Sequence, residues 1–292
     1  FHGAVISHAG TDDTRIFREF EQLGSEFHQL GGQFLDARTN ADVGILFDWD
    51  NWWALELCSG PTKDMDYLLQ VAHYYRAFHK QNIAMDIVKF TSDLDSYKIV
   101  VAPLAYMINS RLAERLTKFV ENGGILIGTY MTGLADETDR CIFGAYPGPL
   151  RDVFGLWVEE TDALYPEETN QIIMENKERQ SYSCSFLCDR LRLENAKALA
   201  VYGSDFYAGE PCVTKNEYGK GKAYYLGTQP DETFLKMFVH SVCEKADVHP
   251  VLQVEEGIEV TSRENENGKF YFVLNHNTTE KQIILPEGRW KN

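Results

Sequence analysis

Four short apolar runs constrain this chain more than any other feature: Val43–Phe47, Ile83–Val88, Lys98–Ala102 and Ile125–Gly128. Continuous apolar runs of this length suit strands buried on both faces. Two amphipathic stretches lie between them. One starts at Pro61-Thr62 and places Met65, Leu68, Leu69, Ala72 and Tyr75 on a buried stripe. The other starts at Ser110, a capping residue, carries Leu112, Leu116, Phe119 and Val120, and stops at Gly123-Gly124. Strand, helix, strand, strand, helix, strand at these spacings implies right-handed crossovers, and so an α/β fold with a doubly wound, mostly parallel sheet.

The first run ends abruptly. Val43-Gly44-Ile45-Leu46-Phe47 gives way to Asp48-Trp49-Asp50-Asn51-Trp52-Trp53, which holds three of the chain's five tryptophans. Ligands and partners gather at the carboxyl ends of strands in open α/β sheets, so this segment is expected to be a loop at a used surface. Trp49, Trp52, Trp53 and, further on, Tyr146 are the candidate interface residues, because aromatic side chains anchor interfaces. A half-buried cluster that merely packs a loop is the alternative.

Upstream, Thr11-Asp12-Asp13 offers helix-capping oxygens, and Ile16, Phe17, Phe20, Leu23, Phe27 and Leu30 share one helical face that Gly31-Gly32 should end. Downstream, residues 136–195 are polar and read as an insertion over the sheet edge with strands at Gln171–Glu175 and Tyr182–Leu187. A strand at Ala198–Tyr202 follows. Cys212–Tyr218, the turn Gly219-Lys220-Gly221 and Lys222–Leu226 form a hairpin; the turn is too short for a phosphate loop. Pro230-Asp231-Glu232 starts a helix with Phe234, Leu235, Phe238, Val239 and Val242 inward. Beyond His249-Pro250 the pattern changes to strands at Ile258–Ser262, Lys269–Leu274 and Lys281–Leu285, a small antiparallel β domain. The expected division is therefore 1–10, 11–247 and 248–292.

A net charge of −16 argues against nucleic acid as a partner, since an acidic surface repels phosphate backbones. No run is long enough to span a bilayer. The six cysteines lack C-x-x-C spacing and read as reduced, mostly buried thiols in a cytoplasmic protein. Cys184 and Cys188 would share a strand face too far apart to bridge. His73 and His79 are not an i,i+4 pair, and His8, His28, His240 and His249 lack ligand-like neighbours, so neither a metal site nor a cofactor is expected.

Phe47-Asp48-Trp49-Asp50-Asn51-Trp52-Trp53-Ala54 resembles a segment of the glycoside hydrolase family 42 β-galactosidases, in the domain that follows their catalytic barrel. Other stretches agree in order: Phe1–Asp12, Tyr74–Ile83, Tyr97–Met107, Phe119–Arg140 and Gly144–Glu160. Asp50 stands where that family more often has glutamate. The resemblance implies that residues 1–10 are the tail of the barrel and 11–247 a flavodoxin-like domain that holds homotrimers together. Residues 248–292 would open the C-terminal β domain. It implies retaining hydrolysis of terminal β-D-galactosides by the parent, whose two catalytic glutamates sit on the barrel upstream; no catalytic residue is assigned in this chain. His2 matches the end of the family's Glu-x-x-His motif and would contact the galactoside substrate. Phe1 is not a natural start, and the glutamate would precede it.

Two further classes are open. The turn Gly128–Gly133 resembles that of class I glutamine amidotransferases, which need a cysteine on a strained elbow. Here the elbow holds Tyr130 or Met131, which implies shared fold without activity, at most a stand-alone binding module. A carbohydrate-binding module would need exposed aromatic platforms, for which the β part offers Tyr271 and Trp290.

Overall fold

A computed structural model describes residues 5–288 and 290; His2 lies outside the described residues. Packing divides the chain into a larger unit, Ala41–Glu259 with the segment from Asn275, and a smaller one built from the segment up to Asn40 with Val260–Leu274. In chain order the helices are α1 (Arg15–Phe34), α2 (Trp49–Leu57), α3 (Tyr67–His79), α4 (Ser110–Glu121), α5 (Arg151–Phe154) and α6 (Glu232–Ala246). The strands are β1 (Val43–Phe47), β2 (Met85–Lys89), β3 (Ile99–Ala102), β4 (Ile125–Thr129), β5 (Leu156–Ala163), β6 (Asn170–Met174), β7 (Ser181–Leu193), β8 (Lys197–Tyr202), β9 (Pro211–Tyr218), β10 (Gly221–Leu226), β11 (Thr228–Pro230), β12 (Ile258–Asn265) and β13 (Gly268–Asn275).

The larger unit is built on one mixed sheet in the order β11-β7-β6-β8-β9-β10-β4-β3-β1-β2, with β5 on β7. Its block β2-β1-β3-β4-β10 is parallel, with Ile45 opposite Ile87, Gly44 opposite Val100 and Val100 opposite Leu126. Side chains on these strands alternate between two cores, as a period of two demands. Val43, Ile45, Ile99, Val101, Ile125 and Ile127 join α3 and α6 in one. Leu46, Val100, Ala102 and Leu126 join α4 in the other. Burial on both faces is why β1, β3 and β4 read as unbroken apolar runs.

The polar stretch expected as an insertion is part of the same sheet. β5, β6 and β7 pair antiparallel and continue it through β8 and β9. Strand β7 stays in register with β6 up to Cys184, bends at Phe186 (φ 74°), and then pairs with β5 from Leu187. Cys184 and Cys188, on either side of the bend, are both buried free thiols, and the Cys188 sulfur lies 3.6 Å from the Thr228 hydroxyl.

Helix assignments shift in informative ways. The tryptophan segment is helix α2, not a loop. In α3 the cap is Asp66 and the buried stripe is Tyr67, Gln70, Val71, Tyr74 and Phe78, whereas Leu68 and Leu69 face outward. Asn109, not Ser110, caps α4. Lys281–Leu285 forms no strand; Ile284 is exposed and Pro286 follows it closely, so nothing pairs with that segment.

The smaller unit joins α1 to the β12–β13 hairpin. Phe34 meets Phe270 edge-on at 4.7 Å and Phe272 at 5.5 Å, and Asn265 donates to the carbonyls of Gln33 and Leu35. These contacts carry α1 through Gly31-Gly32. Thr14, rather than residues 11–13, caps it by accepting from the Phe17 N–H. Helix α1 packs with this hairpin rather than within the sheet domain that the sequence assigned from residue 11. Its apolar face stays uncovered: Ile16, Phe20, Leu23, Phe27 and Leu30 are all exposed.

Candidate functional site

Strand β1 delivers the chain to the carboxyl edge of the parallel block at Asp48. That residue is still extended (φ −143°, ψ 138°), and its carboxylate accepts from the Asn51 N–H at 3.0 Å, starting α2. Asp50 is exposed in the first turn, where the helix dipole favours an acid. Positions i, i+3 and i+4 share a helix face, so Trp49, Trp52 and Trp53 come together, at 5.2 Å (Trp49–Trp52) and 6.2 Å (Trp49–Trp53) between ring centres. Phe47 joins them, edge-on to Trp49 at 5.4 Å and stacked on Tyr67 at 5.5 Å.

Exposure separates the four candidates. Trp49 and Trp53 are 56% and 53% exposed, whereas Trp52 packs against the core that contains Tyr67. On the neighbouring α3, Leu68 and Leu69 are also exposed. Tyr146 is not part of this patch. It is half-buried against the opposite core, with Leu150 and Leu156, and its carbonyl accepts from the Val158 N–H at 2.9 Å. Burial pushes its hydroxyl pKa up.

On the inner face of α2 lies Asn51, fully buried. Its amide donates to the Leu104 carbonyl at 3.0 Å and its oxygen accepts from the Met107 N–H at 2.9 Å. The β3 exit is tied in turn to β4, because the Thr129 hydroxyl accepts from the Leu104 N–H at 2.8 Å. The elbow after β4 keeps a left-handed residue, Met131 (φ 62°), buried beside Tyr130. A thioether and a buried phenol offer no nucleophile there.

A second buried polar group lies in the antiparallel half. Asp189 on β7 is inaccessible and accepts from the Thr161 hydroxyl at 2.6 Å and the Tyr225 hydroxyl at 2.8 Å. Desolvation outweighs these two bonds and pushes its carboxyl up to about 7. Neither Asn51 nor Asp189 was singled out from the sequence. The only available signal was the Asp48 cap three residues before Asn51; the partners of both come from distant segments.

Among the described residues no cluster of histidine, cysteine and acidic side chains could hold a metal ion. His73 bonds the Pro230 carbonyl, and His79 and His276 both face Glu259. The Lys269 ammonium lies 5.2 Å from the ring centre of Tyr271, and Trp290 is exposed. No helix of the described residues is long and apolar enough to cross a membrane.

The model of the β-galactosidase trimerisation domain matches residues 41–249, and that of the β-galactosidase C-terminal domain matches 257–289. β-Galactosidase BgaP of Planococcus sp. (strain L4) is 48% identical over the whole chain, which spans 44% of BgaP. The crystal structure of a β-galactosidase from Bacillus circulans sp. alkalophilus superposes with a TM-score of 0.91 at 44% identity, over 95% of this chain and 42% of that one. Gan42B, a GH42 β-galactosidase from G. stearothermophilus, gives 0.88 at 34% identity, over 94% and 40%. The chain thus spans less than half the length of these relatives.

Proposed function

Because the chain belongs to the β-galactosidase trimerisation-domain family of glycoside hydrolase family 42, we propose that it is the assembly portion of an enzyme that hydrolyses terminal β-D-galactosides with retention. Its job is to hold three copies together and to close the rim of a barrel active site. The observation that carries this reading is the pair of half-exposed indoles, Trp49 and Trp53, fixed on a capped helix at the carboxyl edge of the sheet. Rigid aromatic area already held in place loses little entropy on docking. Trp52 contributes by buttressing that surface from within, whereas Tyr146, against the opposite core, lies apart from it.

Other parts of the proposal rest on separate features. The parallel block with its left-handed elbow at Met131 supports descent from a flavodoxin-like, glutamine-amidotransferase-like fold. The uncovered apolar face of α1 docks on the remainder of the enzyme. His2 hydrogen-bonds the sugar there, on the strength of the family motif. Six free thiols, four of them buried, suit a reducing cytoplasm.

The test is molar mass by light-scattering chromatography with a chromogenic β-galactoside assay on the same fractions. A trimer without turnover supports the assembly role. Turnover that co-elutes with this chain alone overturns the placement of the catalytic carboxylates upstream.

A further inference from the structure

A cleft of about 570 Å³ opens at the amino ends of β3, β4 and β10, opposite the tryptophan edge of the sheet. Its lining includes Lys98, Lys220, Lys222 and Lys245, against Asp95 as the one acid. That balance stands out on a chain whose net charge is −16. Two of the lysines have ordinary structural employment. Lys98 pairs with Asp42 at 3.2 Å and donates to the Asp247 carbonyl at 2.8 Å, at the end of α6. Lys245 donates to Ser241 at 3.0 Å. Cations at helix C-termini are favourable, and α4 and α6 both end here.

Lys220 and Lys222 are different. They flank Gly221 in the hairpin turn, and among the described residues neither ammonium makes an ion pair or hydrogen bond. The turn cannot swing them away. A Cβ at Gly221 would sit 2.2 Å from the Gly124 carbonyl and 2.3 Å from that of Val120, so only glycine lets the hairpin lie this close to the end of α4. Lys245 has its pKa lowered by burial first, and then by the charges of Lys215 and Lys222. Glu217 faces Lys222 across the β9–β10 ladder and Glu244 adjoins Lys245 in sequence, yet in the cleft lining itself four lysines stand against the single acid Asp95.

We propose that this cleft binds a compact anion of the phosphate class carrying two or more charges, held by Lys220, Lys222 and Lys245. Lysine ammonium groups act as point charges for phosphate oxygens, and a recess of this volume holds a small molecule rather than a flat protein face. The occupant's charge offsets the crowding of the lysines, so binding is tied to their protonation and weakens with salt.

Titration calorimetry with sodium tripolyphosphate tests this, with orthophosphate and sulfate at matched ionic strength as separate arms. The expected result is saturable binding of one tripolyphosphate per chain. Binding should weaken at least tenfold in Lys220→Gln/Lys222→Gln and be unchanged in the remote variant Lys177→Gln. Equal response to orthophosphate identifies a free-phosphate site, and a preference for the longer anion a phosphoryl-compound site; both support the proposal. Absence of saturable heat, or equal loss in Lys177→Gln, overturns the proposal. So does a concentration-dependent self-association that the double variant abolishes while tripolyphosphate stays inert, which would make the lysines a protein contact.

Discussion

Asn51 and Leu104, 53 positions apart in sequence, are joined by a buried hydrogen bond of 3.0 Å from the Asn51 amide to the Leu104 carbonyl. The same side chain accepts from the Met107 N–H. The tryptophan helix is thereby pinned to the exit of β3, and its indoles inherit the rigidity of the sheet. Replacing Asn51 with Leu leaves a buried carbonyl and a buried N–H unpaired. The expected cost is about 2–4 kcal/mol in urea unfolding. Asn51→Asp should lose the donor to Leu104 and destabilise as well.

Asp189 sets a pH dependence. Its folded pKa, about 7, lies above the unfolded value, so between about pH 4 and 7 the native state binds the extra proton. The sign follows: stability falls as pH rises through that window and levels above it. This single group contributes a loss of up to about 4 kcal/mol across the window. Asp189→Asn should flatten the slope and be relatively more stable at pH 8 than at pH 5. Chemical denaturation of both proteins at the two pH values checks it; an unchanged slope in the variant contradicts it.

Gly128 and Phe154 should be coupled. A Cβ at Gly128 would lie 2.3 Å from the Phe154 ring, in the core shared with Tyr225. Gly128→Ala is expected to cost about 1–3 kcal/mol by overpacking, and Phe154→Ala about 3–5 kcal/mol by leaving a cavity. The double variant should be more stable than the sum of the two costs implies, because the added methyl enters the vacated space.

Strands β1, β3 and β4 and helices α4 and α6 were legible in the sequence because burial stamps a strong pattern on them. Ile125-Leu126-Ile127 faces both cores in alternation, and Phe234, Leu235, Phe238 and Val242 keep helical spacing. Helix α2 was hidden because its tryptophans make it apolar nearly all round, without a polar face to mark its period. The stripe of α3 was misphased because a buried Gln70, bonded to Gln229 at 2.6 Å, counts as core while Leu68 and Leu69 do not. The long strand β7 was cut short in the sequence reading because Phe186 bends it between two partners. The aromatic patch was legible from the order of residues at the end of β1, but the separation of Tyr146 from it depends on which face of the sheet each residue reaches.

On the proposed assembly role, the exposed indoles of α2 hold copies of this protein together. Molar mass by light scattering, compared between the parent protein and Trp49→Ala/Trp53→Ala at matched concentration, tests it most directly. Both side chains are half exposed, so the double variant should keep the parent's unfolding free energy to within about 1 kcal/mol. The expected result is a trimer for the parent and a shift toward monomer for the variant. A variant that remains fully trimeric, with the fold intact, would contradict it.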